Sequence, residues 1–151
     1  MEERLYGGCR LQDRTIRRLK LGQIIKRDSE SWTIAGQLYP AGLMDGTASL
    51  AIFSAIGGLA VDARQNLFIS DTQNHVVRKL TPEGEVTTVV GDGRTCDNWC
   101  NPDFFSFDGS SRLISLANPH GLEFDKWGNL YIADTGGFRV VKVIPRDSEW
   151  V

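Results

Sequence analysis

At 151 residues, 41% hydrophobic and 24% charged, the chain has the composition of one soluble globular domain, which excludes an intrinsically disordered protein. Its formal net charge of −2 gives no general electrostatic reason to bind nucleic acid. No apolar run approaches the roughly 20 residues that span a bilayer, so no membrane span is expected.

The first segment, residues 1–36, is basic, with eight Lys/Arg against five acids, whereas residues 37–151 carry nine against fourteen. Arg14, Arg17, Arg18 and Lys20 are the candidates for an acidic or phosphate-bearing partner; the alternative is the solvated face of a strand pair. Met1-Glu2-Glu3-Arg4 leads into no apolar stretch, so no secretory leader is read and an intracellular chain with reduced thiols is expected. A local Cys96–Cys100 disulfide is the alternative, and Cys9 has no obvious partner. Two short runs in this segment resemble later ones: Ile16-Arg17-Arg18-Leu19 matches Val77-Arg78-Lys79-Leu80, and Trp32-Thr33-Ile34-Ala35-Gly36 matches Thr87-Thr88-Val89-Val90-Gly91.

From Asp45-Gly46 the chain runs to Gly58-Leu59-Ala60-Val61-Asp62, then to Asn66-Leu67-Phe68-Ile69-Ser70-Asp71-Thr72, then to Val77-Arg78-Lys79-Leu80. Short apolar runs rich in β-branched and aromatic residues, bounded by turn residues, predict strands over 58–61, 67–70, 76–80 and 86–90. Thr81-Pro82-Glu83-Gly84 has the residues of a tight turn between the last two. Four short antiparallel strands in a meander form one blade of a β-propeller.

The pattern then recurs at a constant offset of 63 residues: Asp108-Gly109, Gly121-Leu122-Glu123-Phe124-Asp125, Asn129-Leu130-Tyr131-Ile132-Ala133-Asp134-Thr135, and Val140-Val141-Lys142-Val143. Repetition of this kind means stacked units that cannot bury their faces alone. The two copies resemble the NHL repeat, through Gly58 to Asp62, Asn66 to His75, Val77 to Leu80, and Pro119 to Lys142. The second copy departs at Gly137-Phe138, where the first has Asn74-His75. The resemblance implies an all-β propeller and, in general, a surface that binds protein or RNA.

The expected organisation is a partial blade over 1–36, a connector and complete blade over 37–91, and a long connector with a blade lacking its last strand over 92–151. Two to three four-stranded blades make an incomplete ring, since closed propellers have about four to eight. Either the chain is a piece of a longer protein, or copies self-assemble to complete the ring.

Antiparallel topology places the turns at Asp71–Asn74 and Asp134–Gly137 on one face with the connectors 37–57 and 92–120, and loops on a rigid scaffold are where binding residues concentrate. The second connector is longer, seventeen residues from Gly91 to Asp108 against nine from Gly36 to Asp45. Its extra residues include Trp99 between Cys96 and Cys100, and Phe104-Phe105; they either meet a partner or fold down onto the blade. The candidate partner-binding residues are Trp99, Phe104, Phe105, Gln73, Asn74 and Phe138. Asp62, Asp71, Asp125 and Asp134 are assigned to turn structure, accepting bonds from backbone N–H groups about two residues on. His75 and His120 fall at non-equivalent repeat positions, and no Ser-His-Asp set or metal-spaced cluster stands out, so no catalytic residue, metal or cofactor is assigned. The functional expectation is a non-enzymatic scaffold for a protein partner. The alternatives are part of a larger propeller enzyme whose catalysis lies elsewhere, or RNA binding through the basic segment.

Overall fold

The computed structural model describes residues 16–19, 31–37, 40–94 and 114–145. Ten strands follow in order: β1 (Ile16–Leu19), β2 (Ser31–Ala35), β3 (Gly46–Thr47), β4 (Ile56–Val61), β5 (Leu67–Asp71), β6 (Val76–Leu80), β7 (Glu85–Val90), β8 (Pro119–Phe124), β9 (Leu130–Asp134) and β10 (Arg139–Val143). They form three antiparallel sheets, β1-β2, β3-β7-β6-β5-β4 and β8-β9-β10. The fold is all-β, and its sheets are blades of a β-propeller.

The four expected strands of the complete blade are β4 to β7, but the sheet has a fifth. Gly46 and Thr47 of β3 pair with Val86 and Glu85, covering the outer edge of β7. An unpaired edge is a template for unwanted pairing, and a short strand laid along it removes that hazard. The connector before the blade is therefore partly folded into it, while Leu43, Met44 and Leu50 stay exposed. Met44 bridges Ile52, the Ala48 amide donates to Gly84 O, and Ala51 and Phe53 are fully buried. A strand of two residues is too short to show a period, which is why the sequence reads this stretch as a loop.

Strand alternation sorts the apolar residues into two cores. Leu67 and Ile69 point into one, with Ala35, Ala51, Phe53, Ile56, Leu80 and Val86, between the first and middle blades. Phe68 points into the other, with Val77, Val89, Val90, Leu116, Leu122, Leu130 and Ile132, between the middle and third blades. There Phe68 meets Phe124 edge-on, ring centroids 4.9 Å apart. The first pair repeats the register of the complete blade: Ile16↔Ala35 and Arg17↔Thr33 flank an irregularity, as do Val77↔Val90 and Arg78↔Thr88.

The two inner strands β4 and β8 approach backbone to backbone. A Cβ on Gly58 would collide with His120 O, so only glycine fits there. Beside it Ser70 Oγ donates to His120 O at 2.6 Å and Thr72 Oγ1 donates to Pro119 O at 2.7 Å. These hydroxyls satisfy β8 carbonyls that lie in the contact and tie the blades together.

Candidate functional site

At the end of β5, Asp71 is fully buried, and its carboxylate organises the rim. Its own turn offers it no backbone bond. Instead the Ser54 amide donates to Oδ1 at 2.9 Å, while Asn74 Nδ2 and Arg78 Nη1 donate to Oδ2 at 2.8 and 3.0 Å. Burial pushes the Asp71 carboxyl up from the ordinary 3.8, against the bonds from Asn74, Ser54 and Arg78, which pull it down. Arg78, also fully buried, spends its other donors on Asp45 Oδ1, Ile52 O and Met44 O, and its guanidinium lies 4.9 Å from the centre of the Phe53 ring. Asp45 in turn accepts from the Thr88 amide and hydroxyl.

The third blade rebuilds this node with a displaced residue. The Ala117 amide donates to Asp134 Oδ1 at 2.6 Å, as Ser54 does 63 residues earlier. The residue 63 after Arg78 is Val141, yet Arg139, two positions back on the same face of its strand, donates to Asp134 Oδ2 at 2.8 Å and to Ser115 O at 2.6 Å. The strand period of two allows the exchange. Arg139 remains 23% exposed where Arg78 is 0%.

Asp62 and Asp125 hold the opposite turns. Asp125 Oδ1 accepts from the Trp127 and Asn129 amides, both at 2.9 Å, and Oδ2 accepts from Asn129 Nδ2 at 2.7 Å. Asp62 repeats this with Arg64 and Asn66. Desolvation acts to raise the Asp125 carboxyl, but bonds from Asn129, the Trp127 amide and the Tyr131 hydroxyl outweigh it and hold the group below 3.8. A depressed folded-state value contributes stability above the unfolded value that is lost as pH falls through the folded one. The raised Asp71 works in the opposite sense. Acid melts of the wild type and Asp125→Asn are therefore expected to converge as pH drops through the carboxylate range, and parallel curves would contradict the assignment.

The loop rim gathers several predicted residues. Asn74 Nδ2 donates to Gly42 O at 2.7 Å as well as to Asp71, so this amide holds the rim together from within. Gln73 is exposed and its Oε1 accepts from Ser54 Oγ at 3.0 Å. Phe138 sits at the tip of the β9–β10 turn with a left-handed φ of 51° and is 96% exposed. Its counterpart His75 has the same backbone but is engaged, its Nδ1 accepting from the Asn118 amide at 3.1 Å. Trp99, Phe104, Phe105, Arg14, Lys20 and the three cysteines lie outside the described residues. The described ends of the long connector meet at this rim: Ser115 Oγ donates to Asp92 Oδ2 at 2.9 Å.

The opposite rim holds a groove of about 550 Å³ lined by Asp62, Arg64, Lys79, Glu83, Trp127 and Pro145 among others. Trp127 is 73% exposed, with Lys126 Nζ 4.5 Å from the centre of its indole ring. Trp127 is absent from the residues expected of a site; its signal in the sequence is an aromatic at a turn tip where the first copy carries Arg64. Among the described residues no three His, Cys, Asp or Glu side chains are grouped to hold a metal, every buried side-chain nitrogen and oxygen has a partner, and no helix is long and apolar enough to cross a membrane.

No family model matches the chain. Among curated proteins it is similar to human Teneurin-4, 33% identical over 104 residues and 65% of this chain, and to mouse Teneurin-3, 33% identical over 113 residues and 71% of this chain. It spans about 4% of the length of each. Among solved structures, an auxiliary nutrient binding protein from Bacteroides thetaiotaomicron superposes with a TM-score of 0.65 at 21% identity, over 87% of this chain and 32% of that one. A protein of unknown function from the same organism superposes with a TM-score of 0.70 at 21% identity, over 87% and 30%. Likeness at this identity speaks for the fold alone.

Proposed function

We propose that the chain is a non-enzymatic, NHL-type propeller module that binds a protein partner at its loop rim, through the long connector 92–120. The observation that carries this reading is the clamp between the connector's described ends. Asp92 holds Ser115 by its hydroxyl, and Arg139 holds Ser115 by its carbonyl, so the two described ends of the connector are tied to each other and to the ion-paired framework of the third blade. A long excursion from a rigid scaffold is a common form of binding loop. This one carries Trp99, Phe104 and Phe105, a residue class enriched in the energetic centres of interfaces. Exposed Gln73 adjoins the same rim, while Asn74 contributes by holding Gly42 in place.

Nucleic acid is the weaker reading. Arg17 occupies the register position of Arg78, the arginine that the complete blade uses in its ion-paired node. The test is quantitative affinity capture from cell extract with the wild type and a Trp99→Ala/Phe104→Ala/Phe105→Ala variant that melts like it. Loss of two aromatic anchors of about 2 kcal/mol each predicts more than a hundredfold weaker binding, so specific partners should vanish from the variant. An identical set of captured proteins would overturn the proposal.

A further inference from the structure

The groove on the rim away from the loops lies between two adjacent blades. The β4–β5 and β6–β7 turns of the middle blade form one wall and the β8–β9 turn of the third blade forms the other. Its volume of about 550 Å³ is within the roughly 300–1,000 Å³ of small-molecule sites. Arg64 and Trp127 hold the same place in successive repeats, 63 residues apart, so the stacking of the blades brings two turn tips to one groove. Each tip is pinned by the same device: the Arg64 amide donates to Asp62 Oδ1 and the Trp127 amide to Asp125 Oδ1, both at 2.9 Å. A backbone fixed in advance reduces the ordering that binding would otherwise cost.

The acidic groups of the groove are already engaged. Asp62 accepts from the Arg64 and Asn66 amides and from Asn66 Nδ2. The Glu83 carboxylate accepts from its own amide and from the Thr81 hydroxyl, which hold it below the ordinary 4.5. The donors are not engaged. Among the described residues, neither the Arg64 guanidinium nor the Trp127 indole N–H has a hydrogen-bond partner, and both side chains are exposed. Lys126 Nζ, 4.5 Å from the centre of the indole ring, adds positive charge beside them.

We propose that this groove binds a small organic anion carried on a flat ring, with the ring stacked on Trp127 and the anionic group held by Arg64. A guanidinium fork matches carboxylate and phosphate oxygens in pairs, and an indole offers an aromatic face for a ring to stack on. A neutral ring leaves the Arg64 donors unused, and an inorganic anion leaves the indole unused. The two side chains together therefore define the class, whose sources are aromatic carboxylates and nucleoside monophosphates. This inference is independent of the loop-rim reading, since the groove lies at the other end of the strands and shares no residue with that site.

The test is nuclear magnetic resonance on the full, isotope-labelled chain, which has four tryptophans. The indole N–H signal that is missing from Trp127→Phe reports on the groove. Adenosine monophosphate and naphthoate are titrated against it, with adenosine and inorganic phosphate as probes of the ring and of the anion alone. The Trp127 signal is expected to shift saturably with a ring anion, about tenfold or more weakly with adenosine, and not with phosphate. Arg64→Gln, at an exposed turn position, should weaken the ring anion by about tenfold or more and leave adenosine unchanged. A response to the nucleotide alone assigns nucleoside phosphates as the source, and a response to naphthoate alone assigns aromatic carboxylates. A response to both supports the shared chemistry. No shift with either ring anion, an equal shift with phosphate, adenosine bound as tightly as its monophosphate, or Arg64→Gln binding like the wild type would each overturn the proposal.

Discussion

Replacing Arg78 with methionine is expected to lower the unfolding free energy by about 3–5 kcal/mol, the range for removing one partner of a buried ion pair. Methionine keeps much of the packing over Phe53 but leaves the fully buried Asp71 carboxylate without its cation, and it takes one of two donors from each of the Ile52 and Met44 carbonyls, which keep each other's amides. Domains are commonly stable by only about 5–15 kcal/mol, so the loss is a large share of the total. Adding Asp71→Asn should recover part of it, because the uncompensated charge disappears while the bond from the Ser54 amide can persist. Arg139→Met should cost clearly less, since water already reaches that guanidinium. Urea titrations of the four proteins decide the matter, and an Arg139 effect equal to that of Arg78 would refute the role given to burial.

Gly58→Val should cost about 1–3 kcal/mol or more by overpacking, and it should act between blades rather than within one. Gly58 is absent from the positions of positive φ, so valine suits its strand backbone, and the largest part of the penalty comes from the collision with the His120 carbonyl. The expected signature is an early melting of the third blade, seen as faster hydrogen exchange in β8–β10 while β5 and β6 stay protected. Gly121→Val is the matched control at the equivalent repeat position. A Cβ there has only Ala133 Cβ within 4 Å, at 3.5 Å, so the melt should change little. Equal destabilisation by the two substitutions would remove the argument from close backbone approach.

The local and periodic content of the chain is legible in its residues alone. The 63-residue offset, the alternation at Leu67 to Ser70 and Leu130 to Ala133, and the turn residues between strands define the blades, because short strands and tight turns depend on neighbours a few residues away. The bonds of Asp62 and Asp125 to amides two and four residues on belong to the same class. Contacts between distant segments emerge when the blades pack. Asp71 and Asp134 read as turn formers, yet they bind Ser54 and Ala117 seventeen residues back and anchor arginines on the next strand. Arg78 enters the sequence reading only as part of the repeated Val77-Arg78-Lys79-Leu80 run and is the centre of the middle blade, between Asp45 at 33 residues and Asp71 at seven. The displacement of its role to Arg139 shows the reason: a strand offers the same face every second residue, so a repeat can keep an ion pair while losing the alignment that would reveal it. Which glycine a neighbouring backbone covers, Gly58 or Gly121, is likewise a matter of what packs beside the strand, and no local pattern records it.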